Sequence, residues 1–158
     1  MPGILNYTTE IGVGRTIGEI QEMLRVHGAS DVMVSYDDDR NPTKVQFMIK
    51  TQWGPRPFAL SANVRGVYTV LCAQASNGKV ARRFASEDQA QRVSWRIIRE
   101  WLASQLAMIE ASLVTIEQAL LPYMSVRPDK TLYQVLDEGK LSLPSVNDGR
   151  FQLPEPSK

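Results

Sequence analysis

Six basic side chains in the middle of the chain are the residues whose spacing best suits chemistry: Lys79, Arg82, Arg83, Arg92, Arg96 and Arg99. Arg92, Arg96 and Arg99 recur at i, i+4 and i+7, which places them on one face of a helix. Phe84 sits among them, and Trp53 and Arg56 flank an earlier turn. Proteins that hold single-stranded nucleic acid without sequence preference combine cations, which track phosphates, with flat rings, on which bases stack. A sheet face carrying Lys44, Gln46 and Lys50 would extend such a groove. The structural alternative is a solvated helix face, with Arg96 and Glu100 as an i,i+4 ion pair.

Catalytic inventories are thin by comparison. The single histidine, His27, stands at the end of a helical segment, where interaction with the helix dipole explains it. The single cysteine, Cys72, lies in an apolar segment and reads as a small core residue. A zinc site needs several Cys or His at set spacings. Asp37-Asp38-Asp39 with Asn41 could attract a divalent cation, but Pro42 stands at the sixth position, where a calcium loop needs glycine. An acidic turn accounts for the triplet. Gly12-Val13-Gly14-Arg15-Thr16 precedes a helix and hints at an anion-binding turn, yet it matches neither the Walker pattern nor the dinucleotide fingerprint. The expectation is a protein with no catalytic residues, cofactor or metal. A nuclease using Asp37–Asp39 and magnesium is the enzymatic alternative.

The elements that would position these residues follow from periodicity. Leu5, Tyr7, Thr9 and Ile11 alternate as in a strand. Thr16-Ile17-Gly18-Glu19 reads as a capping box opening a helix with Ile17, Ile20, Met23 and Leu24 on one face, ended by Gly28. Three strands follow as a meander: Val32, Val34, Tyr36; then Val45, Phe47, Ile49; then Phe58, Leu60. Alternation of this kind predicts an antiparallel sheet with one buried face, covered by the first helix. Asn63 caps a second helix, broken at Ser76-Asn77-Gly78. Lys79 to Ala85 reads as a short strand or a basic loop. Ser86-x-x-Gln89 opens a long helix to about Ala111, with an apolar surface wide enough to require cover by the sheet or another subunit. Of the chain's tryptophans, Trp101 falls in the apolar stripe and is expected inside; Trp53, in a turn, is expected outside. Thr115-x-x-Gln118 and Thr131-x-x-Gln134 start two short helices. The fold class is therefore α+β: a small β-α-β-β-β antiparallel sheet covered by a helix, followed by a long helical region. Residues 1–140 read as a single domain, with the sheet and first helix in 1–62 and the helical part in 63–140, and 141–158 as an extended tail.

Composition sets the class. The chain has 158 residues, enough for a hydrophobic core without disulfides. No apolar run approaches the roughly 20 residues that span a bilayer. The first residues lack the pattern of a signal peptide, and one cysteine suits a reducing compartment. Formal net charge is +1, but residues 63–101 hold seven basic against three acidic side chains. That local excess can steer an anionic partner although the total is near zero.

Several segments resemble a family of small proteins encoded in bacteriophages and prophages. They are Thr16–Gln21, Leu24 and His27–Ala29; Ala62–Val64, Val67-Tyr68 and Val70-Leu71; Gln89–Val93, Trp95–Ile97 and Trp101; Gln105–Ala107 and Ile109-Glu110; Leu121–Met124 and Thr131–Tyr133. The resemblance covers about residues 4 to 136 and implies a phage setting in a bacterial cytoplasm, with no chemistry attached. The leading expectation is a non-catalytic, homo-oligomeric protein binding single-stranded nucleic acid, in replication or recombination. The alternative is an anti-defence or regulatory protein that binds a host protein or sequesters a nucleotide signal, its arginines lining a phosphate pocket.

Overall fold

Alternating apolar residues in the first half of the chain form three antiparallel strands in a computed structural model that describes residues 3–139. β1 (Asp31–Tyr36), β2 (Pro42–Thr51) and β3 (Gly54–Ser61) pair in the order β1-β2-β3. Register sets Phe47 opposite Val32 and Phe58, so Val45, Phe47, Ile49, Phe58 and Leu60 all lie in the core. Lys44, Gln46, Met48 and Lys50 take the alternate positions on β2 and face the other way. The meander is as the alternation predicts, and the protein is mixed α+β.

The buried face is covered by two helices. α1 (Val13–Val26) contributes Ile17, Ile20 and Leu24, and α3 (Glu87–Glu110) contributes Trp95, Leu102 and Leu106. Fully burying each such side chain is worth about 1.5–3 kcal/mol. α2 (Val64–Ser76) packs along α3 and buries Leu71. The wide apolar surface of α3 is thus shared between α1, α2 and the sheet. Trp95 is fully buried, its indole N–H donating to the Pro42 carbonyl at 3.1 Å. Trp101 is half-buried, edge-on to Tyr123, so the interior tryptophan is Trp95. Trp53 is 50% exposed, as its turn suggests.

The N-terminal strand expected at Leu5–Ile11 does not form, and the β-α-β-β-β order reduces to α-β-β-β. Residues 4–8 are turns, with Asn6 at φ 63° and the Tyr7 N–H bonded to the Ile4 carbonyl. The segment docks on the helices: Gln89 donates to the carbonyls of Tyr7 and Thr9, and Gln74 accepts from the Ile4 N–H. Those long-range bonds satisfy the backbone that a strand neighbour would otherwise have to satisfy.

The box read at Thr16–Glu19 also fails, because α1 begins one turn earlier, at an uncapped Gly12. Buried Thr16 donates back to the Gly12 carbonyl. Packing of Val13 against the core extends the helix past its local start signal. Gly28 does end α1, at φ +93°, with the Ala29 N–H reaching the Leu24 carbonyl and the Gly28 N–H the Arg25 carbonyl. Asn63 caps α2 as expected, and Ser86 caps α3.

After α3 come α4 (Ile116–Leu120) and α5 (Leu132–Asp137), both opened by reciprocal Thr/Gln capping boxes. Between them lies a hairpin the periodicity does not announce, β4 (Ser125–Arg127) and β5 (Lys130–Thr131), turning at Asp129 with φ 57°. Met124 bridges to Phe58 on the free side of β3, which hangs the hairpin on the sheet edge. The tail expected at 141–158 lies outside the described residues. No helix among those described is long and apolar enough to cross a membrane.

Candidate functional site

The structure distributes the sequence-predicted cations over four places. Arg96 and Arg99 both donate to one Glu19 oxygen, at 2.8 and 3.0 Å. Arg15 approaches the other oxygen at 3.3 Å. Partial burial pushes the Glu19 carboxyl up, but the Arg96 hydrogen bond and the charges of Arg96 and Arg99, helped by Arg15, hold it below the ordinary glutamate value. Arg92 is held by Gln89, whose carboxamide oxygen accepts from its Nε and Nη2. Arg96 and Arg99 therefore tie α3 to α1, while Arg92 braces Gln89, which holds the N-terminal segment.

Lys79, Arg82 and Arg83 are exposed around the 3₁₀ turn Arg82–Phe84 that connects α2 to α3. The connection is a turn rather than a strand. Arg83 lies over the Phe84 ring at 4.8 Å, and the edge of Tyr7 meets the same ring. Lys50, Trp53 and Arg56 cluster instead at the β2–β3 turn, which Glu117 holds by accepting the Gln52 N–H. That turn lies beside the C-terminal end of α3, whereas Lys79–Arg83 lie at its N-terminal end. With 24 residues in α3, about 36 Å of helix separates the two groups.

Lys44 occupies the fourth place, in a groove. The outer face of the sheet and the β4–β5/α5 segment enclose a groove of about 850 Å³. Lys44 and Gln46 form its floor from β2; Asn63 enters from the start of α2. Tyr123, Tyr133 and Gln134 line the opposite side. Tyr133 is 62% exposed and offers a free ring. Tyr123 is braced by Trp101, with ring centroids 5.0 Å apart. Lys44 Nζ stands 3.7 Å from the Asp129 carboxylate at the hairpin tip. Lys130 pairs with Glu138 behind it.

Lys44 and Gln46 are visible in the sequence as outward-facing positions of β2. The groove's far wall is not, because it depends on where the hairpin returns. The turn dipeptide Pro128-Asp129 is the signal that could have found it. His27 lies outside the groove, its Nδ1 at 2.7 Å from the Met23 carbonyl oxygen. Asp37 uses its carboxylate on the Asn41 N–H within the β1–β2 turn. Among the described residues, no three His, Cys, Asp or Glu side chains are grouped to hold a metal. No protein-family profile, curated protein or solved structure matches this chain.

Proposed function

We propose that this chain is a non-catalytic nucleic-acid-binding protein for single strands, with the outer-face groove, rather than the α3 arginines, as the seat of the bound strand. The observation that carries the reading is the groove itself: a cation, carboxamides and two tyrosines line one concave surface. Bases stack on such rings without regard to sequence, and the lysine meets phosphate. α2 starts at the groove and its 13 residues run about 20 Å to the exposed Lys79, Arg82 and Arg83. A strand leaving the groove along α2 would reach those cations.

The groove's size supports a second reading, sequestration of a small nucleotide. Its volume lies within the roughly 300–1,000 Å³ of small-molecule sites. The setting in phage replication or recombination rests on the sequence resemblance alone. Homo-oligomeric assembly belongs to the same proposal and is supported by exposed Met33 and Tyr36 on the open edge strand β1.

The test is fluorescence anisotropy of a labelled single-stranded oligonucleotide at low and at physiological salt. Binding that weakens with salt and is competed poorly by duplex supports the proposal. No binding at low salt removes it.

A further inference from the structure

We infer that the groove is an anion site made for the phosphate of a nucleotide unit, and that the Asp129 carboxylate occupies the place of that phosphate when the groove is empty. The inference rests on the nucleic-acid reading and names the group that the groove recognises.

It starts from which atoms the walls have left to offer. Asn63 uses its Oδ1 to cap α2, accepting from the Gly66 N–H at 2.9 Å. Gln134 uses its Oε1 to accept the Thr131 N–H at 2.8 Å. Each carboxamide therefore keeps its NH2 group, a donor, for a ligand. Gly66 makes room for this arrangement: a Cβ there would stand 2.6 Å from Asn63 Nδ2. Lys44 adds an ammonium with donors only. The N-terminal end of α2, at the same wall, contributes partial positive charge. A wall so rich in donors selects a ligand rich in acceptors.

The remaining carboxylate fits that logic. Among the described residues Asp129 is the only acid lining the groove. It sits on a two-strand hairpin with its side chain 87% exposed, and it faces Lys44, whose side chain is only 26% exposed. A half-buried lysine gains from a counter-ion, and an exposed carboxylate is one that a ligand phosphate can displace. Tyr133 and Tyr123 then stand on the far side of the groove, where a base attached to that phosphate could stack.

The experiment is calorimetric titration of the full chain with adenosine 5′-monophosphate, adenosine and inorganic phosphate, with the oligonucleotide anisotropy run in parallel. The nucleotide should bind, and adenosine more weakly. Asp129→Asn should tighten nucleotide binding up to about fivefold, the range of one exposed ion pair. Lys44→Gln should abolish it, with the melting transition confirming a folded protein. If Asp129→Asn leaves nucleotide affinity unchanged or weakens it, or if adenosine binds as well as the nucleotide, the inference is overturned. An oligonucleotide that binds independently of Asp129 overturns it too, while leaving the proposed function standing. Nucleotide binding with no oligonucleotide binding keeps the anion site and removes the single-strand reading.

Discussion

Glu19 is the point on which three guanidinium groups converge, and its ionisation couples folding to pH. The folded protein holds its carboxyl below the ordinary value, with the Arg96 and Arg99 interactions outweighing partial burial. A depressed pKa contributes stability that is fully present above the unfolded value of about 4.3 and is lost as pH falls through the lower folded value. Glu19→Gln should therefore be less stable than the parent near neutral pH, with the gap closing in acid. Urea midpoints at about pH 7 and about pH 3 measure this; a gap that does not narrow in acid would show that the charge is not what Glu19 contributes. Helical spacing pairs Arg96 with Glu100. The actual partner lies 77 residues away, on another helix. Periodicity reports which side chains share a face, but not what the tertiary fold lays against that face.

At the level of elements, the meander and the caps at Asn63, Ser86, Thr115 and Thr131 were legible, since each depends on residues a few positions apart; the box at Thr16 was not, because α1 starts one turn earlier. Asn63, Ser86, Thr115 and Thr131 all cap their helices, with reciprocal boxes at Thr115 and Thr131 but only the Ser86 half of the box at Ser86–Gln89. The N-terminal strand was not legible, and one side chain explains why. Gln89, which local spacing assigns to the box with Ser86, instead donates to the carbonyls of Tyr7 and Thr9 and pins that segment as turns. The β4–β5 hairpin was missed because its strands are too short for alternation to register. The C-termini of the three long helices follow a common design with one exception. α1 and α2 end on Gly28 and Gly78 at positive φ, but α3 ends on Ser112 at φ 58°. The Leu113 N–H still reaches the Met108 carbonyl at 2.9 Å, so the geometry is that of a glycine cap carried by a residue with a Cβ. That conformation costs an L-residue about 1–2 kcal/mol, part of which glycine returns as extra freedom in the unfolded chain. Ser112→Gly should stabilise the protein by about 0.5–1 kcal/mol, read as a raised denaturant midpoint at unchanged slope.

For the whole molecule, the question is which cations remain free to meet a polyanion. The sequence treats Lys79–Arg99 as one basic surface, but folding divides it: Arg96 and Arg99 are tied to Glu19, while Arg82, Arg83 and Lys79 stay in solvent and Lys44 enters the groove from a strand far away in sequence. Counter-ion release turns this division into a measurement. Each phosphate contact on a single strand contributes about 0.7 to the slope of log affinity against log salt. Lys44→Ala and Arg82→Ala should each flatten that slope by about 0.7 without lowering the unfolding midpoint much, since neither breaks a buried contact. Arg96→Ala should do the reverse. Its guanidinium is mostly covered and hydrogen-bonded to Glu19, so removing it should cost about 1–2 kcal/mol of stability and leave the slope where it was. If Arg96→Ala instead flattened the slope as much as Lys44→Ala, the Glu19 pairing would have to open on binding, and α3 would return as the contact face in place of the groove.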